Sequence, residues 1–303
     1  MNDKAEFSEC RELLGIPARV LGRRENNGRL ALDTDQPGQQ AFQAILWDCF
    51  FSRDLEHPWD RNGGRSFRDL ILYFSYVAPQ SERLLIATNT AGRVASYLLP
   101  YTRTFPDGSY EHYGIPGLRV EQVCKRTLVL RHLPTGGLLA LQDNSFSMTA
   151  RTMRYLLNDE VGVSRGDETD TRRPVWRQKG LTTEEEAAED HWAPSPCTAL
   201  RSALMVRCYL WWHSHAVLVP PRRSNATRCL RWSSTRTCAE IGELLTTSAV
   251  RIERAAYSQR RDEYDLGVLR LDSGAIELDG PLQQPVPIRH KSRNPRSAAG
   301  RPR

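Results

Sequence analysis

Seven residues of the types that bind zinc lie within the segment 191–238. They are His191, Cys197, Cys208, His213, His215, Cys229 and Cys238. A structural zinc site is usually built from closely paired ligands, such as two cysteines separated by two residues. These cysteines have no such pairing, and the only close pair is His213 and His215. The spacing therefore predicts no metal site here.

The same segment is rich in arginine and tryptophan, and residues 195–238 contain no aspartate or glutamate. Arginine side chains neutralise phosphates, and exposed aromatic rings stack on bases. The candidate nucleic-acid-binding residues are Arg222, Arg223, Arg228, Arg231, Trp232, Arg236 and, in the C-terminal tail, Arg301. Residues 300–303 resemble the core of an AT-hook, although Ala299 stands where a basic residue is expected. The leading hypothesis is therefore a nucleic-acid-associated binding protein, with DNA or RNA as its partner.

A second group of polar residues lies on hairpins predicted within 101–133. Asp107, Glu111, His112 and His132 are residue types that a metal-dependent hydrolase or nuclease uses to hold a metal or move a proton. The sequence has no P-loop, dinucleotide-binding, zinc-protease or serine-hydrolase motif. Catalysis is therefore an alternative without a specific motif. A protein-interaction domain without chemistry is the third hypothesis.

The charge of the chain is unevenly distributed along its 303 residues. Residues 191–261 contain 11 basic and 3 acidic side chains, and residues 280–303 contain 6 basic and no acidic ones. This asymmetry favours an anionic partner for the second half. The basic residues are almost all arginine, since the chain has only four lysines. That skew is typical of a GC-rich gene and favours a bacterial or mobile-element origin.

The cysteine content and the hydropathy pattern predict a cytoplasmic protein. The number of cysteines is odd, and the N-terminal residues are acidic and amphipathic rather than those of a secretory signal. We therefore expect reduced thiols. The longest apolar run, 199–219, contains two arginines and two histidines, so no membrane span is expected.

Turn and periodicity signals in the first half predict the elements that would position these residues. Helices are predicted over 3–14, 39–52, from Ser66 to Pro79, and over 145–158. Asn27-Gly28 predicts a tight hairpin turn. Three further hairpins are predicted around the sequences NTAG, PDG and PTGG. The predicted fold class is α+β, with a mostly antiparallel sheet and about four helices.

The second half has weaker signals, and the sequence predicts four regions in all. Residues 1–160 form a globular domain, 161–195 a charged linker, 196–280 a partly ordered region, and 281–303 a disordered basic tail. Within 196–280 we expect a helix from Thr237 to about Tyr257 and a hairpin around Asp272-Ser273-Gly274. The mixture of Arg, Ser, Cys, Trp and Pro in 195–238 also permits a frameshifted or recently acquired extension.

Overall fold

The computed structural model describes most of the chain. The described residues are 3–21, 25–26, 29–51, 67–145, 149, 151–154, 171–188, 195–211, 216–219, 221, 226, 228–233, 236–259 and 265–280. Helices and mainly antiparallel sheets are mixed along them, so the predicted α+β class is confirmed. The sequence RCYLWWHSHAVLVPPRRSNATRCLRWSSTRTC, 207–238, is described only in part.

The helices of the described residues are α1 (Asp3–Leu14), α2 (Ala18–Leu21), α3 (Pro37–Phe51), α4 (Ala91–Leu98), α5 (Thr183–Glu186), α6 (Thr198–Val206) and α7 (Cys238–Thr247). Residues 151–154 are also helical. Three 3-10 segments cover Phe67–Tyr73, Val175–Arg177 and Cys208–Leu210.

The strands are β1 (Glu25–Asn26), β2 (Arg29–Leu30), β3 (Phe74–Pro79), β4 (Leu84–Thr88), β5 (Tyr101–Thr104), β6 (Tyr110–Tyr113), β7 (Leu118–Val123), β8 (Thr127–His132), β9 (Leu138–Asp143), β10 (Thr171–Pro174), β11 (Val217–Val219), β12 (Arg228–Arg231), β13 (Ala256–Gln259), β14 (Leu266–Leu271) and β15 (Gly274–Asp279). β1 and β2 pair with each other, as the Asn27-Gly28 turn predicts.

Two five-stranded sheets form the frame of the protein. The first has the order β3-β4-β9-β8-β7 and the second the order β11-β12-β15-β14-β13. In each sheet one neighbouring pair is parallel, β4 with β9 and β12 with β15, and the other pairs are antiparallel. Helix α4 follows β4 and helix α7 follows β12, so each sheet contains one crossover helix.

Helices α3 and α6 pack against each other between the two sheets. Ten of the fifteen residues of α3 are buried, so this helix is apolar on more than the single face that its spacing predicts. Trp47 of α3 meets Trp211 edge to face, with the ring centroids 5.5 Å apart. A buried hydrogen bond of 2.7 Å runs from the Ser202 hydroxyl of α6 to the Gln43 side-chain oxygen of α3. The contact between the helices thus combines aromatic packing with a satisfied polar pair.

The main cluster of buried residues contains side chains of both halves of the chain. Leu46 and Phe50 from the first half share it with Leu204, Leu230 and Ile276 from the second. Complete burial of a side chain of this kind stabilises a fold by about 1.5 to 3 kcal/mol. Residues 198–206 and 228–232 therefore contribute to the same core as the first half, and the frameshifted or recently acquired extension stays a prediction.

The predicted charged linker contains a buried ion pair that ties it to the first sheet. Glu185 of α5 is fully buried and accepts hydrogen bonds from both terminal nitrogens of Arg119, at 2.8 and 2.5 Å, and from the Gly117 amide at 2.7 Å. Its carboxylate also accepts from the Thr182 amide, which completes a capping box at the start of α5. Residues 171–188 are therefore packed on the sheet, and the division at 160 stays a prediction.

Of the helix predicted over 145–158, residues 151–154 are helical, residues 145 and 149 are not, and the others lie outside the described residues. Two further elements of the first half differ from their prediction. Residues 67–73 form a 3-10 segment and 74–79 form β3, where a continuous helix was expected. Residues 91–98 form α4, where the NTAG turn predicted the second strand of a hairpin. Ala91, Val94, Ala95 and Leu98 are buried at helical spacing, and this apolar face outweighs the turn signal. The strand β4 consequently pairs with β9 in parallel.

The predictions around PDG, PTGG and Asp272-Ser273 are confirmed as the hairpins β5-β6, β8-β9 and β14-β15. Helix α7 ends at Thr247, ten residues before the predicted end at Tyr257. Ser248 hydrogen bonds back to Leu244 through its hydroxyl, and residues 256–259 pair with β14 instead. No helix of the described residues has the length and apolar character needed to cross a bilayer.

Candidate interaction site

A third sheet, with the order β10-β5-β6, lies outside the two five-stranded sheets. The hairpin β5-β6 turns at Pro106-Asp107-Gly108, where Gly108 has a φ of 83° that favours glycine. The Asp107 carboxylate accepts from the Ser109 amide at 2.9 Å and from the Ser109 hydroxyl at 2.5 Å. These hydrogen bonds lower the pKa of Asp107 and hold it as an ionised turn residue.

Strand β10 adds to the other side of this hairpin from a part of the chain far away in sequence. Its register places Thr171 opposite Thr104, Arg172 opposite Arg103, Arg173 opposite Thr102 and Pro174 opposite Tyr101. The Trp176 amide then donates to the Pro100 carbonyl, which anchors the segment after the strand. The sheet is thus built by adding an extended segment to a hairpin.

One face of the sheet is held together by aromatic and charged side chains. The rings of Tyr101 and Tyr113 stack with their centroids 4.9 Å apart, and the Tyr113 hydroxyl donates to the Glu111 carboxylate. The Arg103 guanidinium lies over the Phe105 ring at 4.8 Å. Burial and the Glu111 carboxylate raise the pKa of Tyr113 to about 12, so its hydroxyl stays protonated as a donor.

The opposite face carries a histidine whose position is set by its neighbours. His112 Nδ1 lies 3.0 Å from the Thr102 hydroxyl, and its ring meets Tyr110 edge to face at 5.4 Å. Burial lowers the pKa of His112, while the carboxylates of Glu184 and Glu185 act in the opposite direction. Tyr110 itself is 60% exposed, one of two large hydrophobic side chains with this degree of exposure among the described residues.

The residues of the hydrolase alternative do not come together. Asp107 is exposed at the turn, while Glu111 and His112 are consecutive in β6 and so point to opposite faces. His132 is fully buried, stacks on Phe42 and lies 2.9 Å from the Thr135 hydroxyl and 3.1 Å from the Pro116 carbonyl. Within the described ranges no group of three His, Cys, Asp or Glu side chains is placed to hold a metal ion.

The candidate nucleic-acid residues are placed in three different ways. Arg231 forms an ion pair with Asp279, with Nε 2.7 Å from the carboxylate, and Trp232 is fully buried with its indole N–H donating to the Arg236 carbonyl. Trp232 therefore does not present its ring to solvent for base stacking. Arg228 and Arg236 are half-buried and have interactions of their own. Arg222, Arg223 and Arg301 lie outside the described residues.

Much of the predicted basic surface is used inside the protein. Arg201 pairs with Asp48 of α3, and Arg251 pairs with Glu6 of α1 at 3.2 Å. Arg207 is fully buried against Asp33. Acidic partners for these arginines come from other parts of the chain, so a count of charges within 191–261 alone could not reveal the pairs.

The seven cysteines are free thiols, and six of them are buried. Burial raises the pKa of Cys10 and of Cys229 to about 12, and it raises the pKa of Cys208 and Cys238 as well. These four thiols are therefore protonated at neutral pH, which makes them poor nucleophiles.

The PDG turn predicts the β5-β6 hairpin, but no pattern in the sequence predicts the three-stranded sheet as a unit. The strand β10 has only the short extended sequence TRRP, in which Pro174 cannot donate a ladder hydrogen bond. No local signal says which hairpin this segment joins. Comparison of the chain with protein-family models, with curated proteins and with solved structures finds no match.

Proposed function

We propose that the chain is a protein-binding module that takes an extended segment of a partner protein along the outer edge of strand β6. The observation that carries the proposal is the position of this strand. Among the strands of the described residues, β6 is the outermost of the three-stranded sheet and pairs with β5 on its inner side, and none of its four residues is buried. An open strand edge offers backbone N–H and C=O groups to another strand.

The chemistry of the partner segment follows from the cross-strand rows of the sheet. Arg172, Arg103 and Glu111 lie side by side in one row, and Glu111 is the outermost of them. A basic residue of the partner in this row gives Glu111 an opposite charge on each side, which stabilises a cross-strand pair. Tyr110 is likewise the outermost residue of its own cross-strand row, next to Thr104. Its exposed ring favours an apolar or aromatic residue at the facing position of the partner strand.

The sheet is also well prepared for binding because its side chains already hold one another. Tyr113 stacks on Tyr101 and donates to Glu111, and His112 contacts Thr102 and Tyr110. A preorganised surface loses less conformational entropy when a partner binds. Cytoplasmic location, expected from the free thiols, is part of this proposal.

Short random peptides displayed on phage test the proposal directly. The purified full-length chain should enrich peptides that carry a basic residue next to aromatic or β-branched residues. Tyr110→Ala and Glu111→Lys should each weaken their binding by about tenfold or more. Leu72→Ala is the matched control, because Leu72 is also an exposed large apolar side chain, at 73%, but lies on the 3-10 segment before β3. Peptides that bind both β6 variants as well as the unaltered chain would exclude this edge as the site.

The uneven charge of the chain favours nucleic-acid association as a second candidate function. After the structural roles of Arg231 and Trp232 are taken into account, this candidate depends mainly on Arg222, Arg223 and Arg301. Binding to a duplex and to a single strand, of DNA and of RNA, at several salt concentrations measures it. Replacing Arg222 and Arg223 together by Ala should reduce the salt dependence by about two phosphate contacts.

Arg231→Ala is the control for this second experiment, because Arg231 is already paired with Asp279. It should leave the slope of affinity against salt unchanged. If the chain shows no affinity for any of the four probes at low salt, nucleic-acid association is excluded. A slope that changes in Arg231→Ala but not in the double variant would also contradict the assignment.

A further inference from the structure

The two five-stranded sheets are built along the same path. In each, a helix comes first, then two antiparallel strands, a crossover helix and three more strands. The order is α3-β3-β4-α4-β7-β8-β9 in the first and α6-β11-β12-α7-β13-β14-β15 in the second. The fifth strand of each unit inserts next to its second strand as the parallel neighbour. The two units therefore share element order, strand order and strand direction.

The pairing registers also correspond when the two units are aligned. We align Thr88 with Arg231 and Asp143 with Asp279. The parallel pair β4-β9 then ends at Thr88 opposite Asp143, and the parallel pair β12-β15 ends at the equivalent residues, Arg231 opposite Asp279. The same alignment carries the β3-β4 pair Phe74 with Thr88 onto the β11-β12 pair Val217 with Arg231. Strand β3 has a register shift between Phe74 and Tyr76 that β11 does not show. Once Ser75 is skipped, every residue pair of β11 with β12 and of β12 with β15 has its counterpart in the first sheet.

The remaining antiparallel pairs agree with this alignment. Thr127 opposite Gln142 corresponds to Gly267 opposite Leu278, as the alignment of Asp143 with Asp279 requires. Strand β7 has a bulge between Val120 and Gln122, and the corresponding strand β13 does not show one. A one-residue bulge is a local change that leaves the order of the strands intact.

The contacts between the two units are reciprocal. Helix α3 of the first unit contacts β11 of the second, and helix α6 of the second unit contacts β3 of the first. The two helices also pack directly on each other. Each unit thus uses the same two elements, its first helix and its first strand, to contact the other unit. An interface of this isologous kind is found in two-fold symmetric dimers.

We infer that the chain is an internal duplication, in which two copies of one α-β-β-α-β-β-β unit join through α3 and α6 as the subunits of a homodimer do. The face formed by α3 and β3 in one unit, and by α6 and β11 in the other, is thus an interaction surface whose partner is a second copy of the same unit. The inference stands on pairing register and reciprocal contacts, and it is independent of the function proposed for β6.

Residue identities conceal the duplication from sequence comparison. The paired core residues Ile86 and Leu141 of the first sheet correspond to Cys229 and Glu277 of the second. At the start of the crossover helix, Asp143 accepts from the Ala91 amide in the first unit, whereas Asp265 and the Thr237-Glu240 capping box serve α7 in the second. Each unit thus provides a hydrogen-bond acceptor for the first backbone N–H groups of its crossover helix, but it does so with side chains at different positions.

The duplication also distinguishes the elements that both units share from the three-stranded sheet, which belongs to the first unit. In the second unit, eight residues, 248–255, connect α7 to β13. The corresponding connection from α4 to β7 in the first unit contains the hairpin β5-β6, to which β10 is added. The three-stranded sheet therefore has no counterpart among the described elements of the second unit.

An experimental structure of the full-length chain tests the duplication. Residues 37–51, 74–98 and 118–143 should superpose on 198–206, 217–247 and 256–279 with the aligned pairs matched, by a rotation close to a half turn. A rotation far from a half turn, or a superposition that shifts the strands by one position, would overturn the inference.

A second experiment tests the interface in solution. A specific protease site is placed within 189–194 of the full-length chain, and the folded protein is cleaved there. The two fragments should continue to elute together at the size of the intact protein. Ser202→Arg places a charge in the buried contact with Gln43 and should separate the fragments, whereas the exposed-site variant Leu72→Ala should not. Separation of the unaltered fragments would show that the units are not joined by an interface of this kind.

Discussion

Arg207 and Asp33, 174 residues apart in the chain, form a two-point ion pair in which the arginine side chain is fully buried and the aspartate side chain is 34% exposed. The two terminal nitrogens of Arg207 lie 2.5 and 3.0 Å from the two carboxylate oxygens of Asp33. The same guanidinium donates to the carbonyl oxygens of Ala203, Val250 and Arg251. A side chain from the most basic part of the sequence therefore holds α6, the end of α7 and the segment before α3 together.

Removal of the Arg207 side chain should be strongly destabilising. Arg207→Ala leaves the partly exposed Asp33 carboxylate and three carbonyl oxygens without their donor, and each buried acceptor left unsatisfied costs about 1 to 3 kcal/mol. Urea unfolding followed by circular dichroism measures this change. Arg254→Ala is the control, because Arg254 and Asp272 form an ion pair exposed on both sides, worth at most about 1 kcal/mol. Equal effects of the two substitutions would contradict the structural role of Arg207.

Trp232 should behave as a core residue rather than as a stacking platform. Trp232→Ala should lower the free energy of unfolding by about 3 to 5 kcal/mol, because it leaves a large cavity and removes the donor to the Arg236 carbonyl. Tyr110→Ala, at an exposed ring, should change the free energy of unfolding by no more than about 0.5 kcal/mol. A small effect at Trp232 would indicate that its ring is exposed in solution.

Gly242 and Tyr257 should be energetically coupled. A Cβ atom at position 242 would lie 2.4 Å from the Tyr257 ring, which packs directly on α7. Gly242→Ala should therefore destabilise the protein by about 1 to 3 kcal/mol through overpacking. In a chain that already carries Tyr257→Ala, the same substitution should be nearly neutral, and a double-mutant cycle measures the difference. Gly180→Ala is the control, since a Cβ there meets nothing within 4 Å.

Stability should fall as the pH rises above 9. The pKa values of Cys10, Cys208, Cys229 and Cys238 are raised by burial above the ordinary thiol value of 9.0. In this range the unfolded thiols lose protons while the folded ones keep them, so the unfolded state binds fewer protons and becomes favoured. Each such thiol contributes up to about 1.4 kcal/mol per pH unit.

Urea unfolding under reducing conditions at pH 8 to 10 measures this slope. Cys229→Ala removes one of the four thiols and should make the slope shallower by up to about 1.4 kcal/mol per pH unit, whatever it does to stability at pH 8. A slope that is unchanged in this variant would show that Cys229 ionises equally in the folded and unfolded states.

Local sequence patterns were sufficient to predict helices and turns whose structure depends on neighbouring residues in the chain. Helix α1 was predicted with its observed bounds, and the hairpins at PDG and PTGG follow from turn residues that accept the required backbone angles. The turn signal at NTAG was misleading because the buried face of α4, which is a property of packing, decided the structure there.

Pairings between distant segments could not be predicted, because nearly all residues have the same backbone N–H and C=O groups. These groups do not specify which strand will be the neighbour. The parallel contact of β12 with β15, the addition of β10 to β5 and the ion pair of Glu185 with Arg119 all join segments that have no local signal for each other. The paired arginines illustrate the same limit. Their number is a property of the composition, but the acidic partners come from other regions of the fold.

The sequence by itself determined the α+β class, the tight turns, the first helix and the absence of paired zinc-ligand spacing, since each depends on neighbours within a few residues. Only the tertiary structure decided that 198–206 and 228–232 belong to the core, that Trp232 faces inward and that β6 is the last strand of the three-stranded sheet among the described residues. It also showed the two units in the same topology. These features depend on which surfaces meet when the chain folds, and burial of apolar area rewards any pair of complementary surfaces regardless of their distance in sequence.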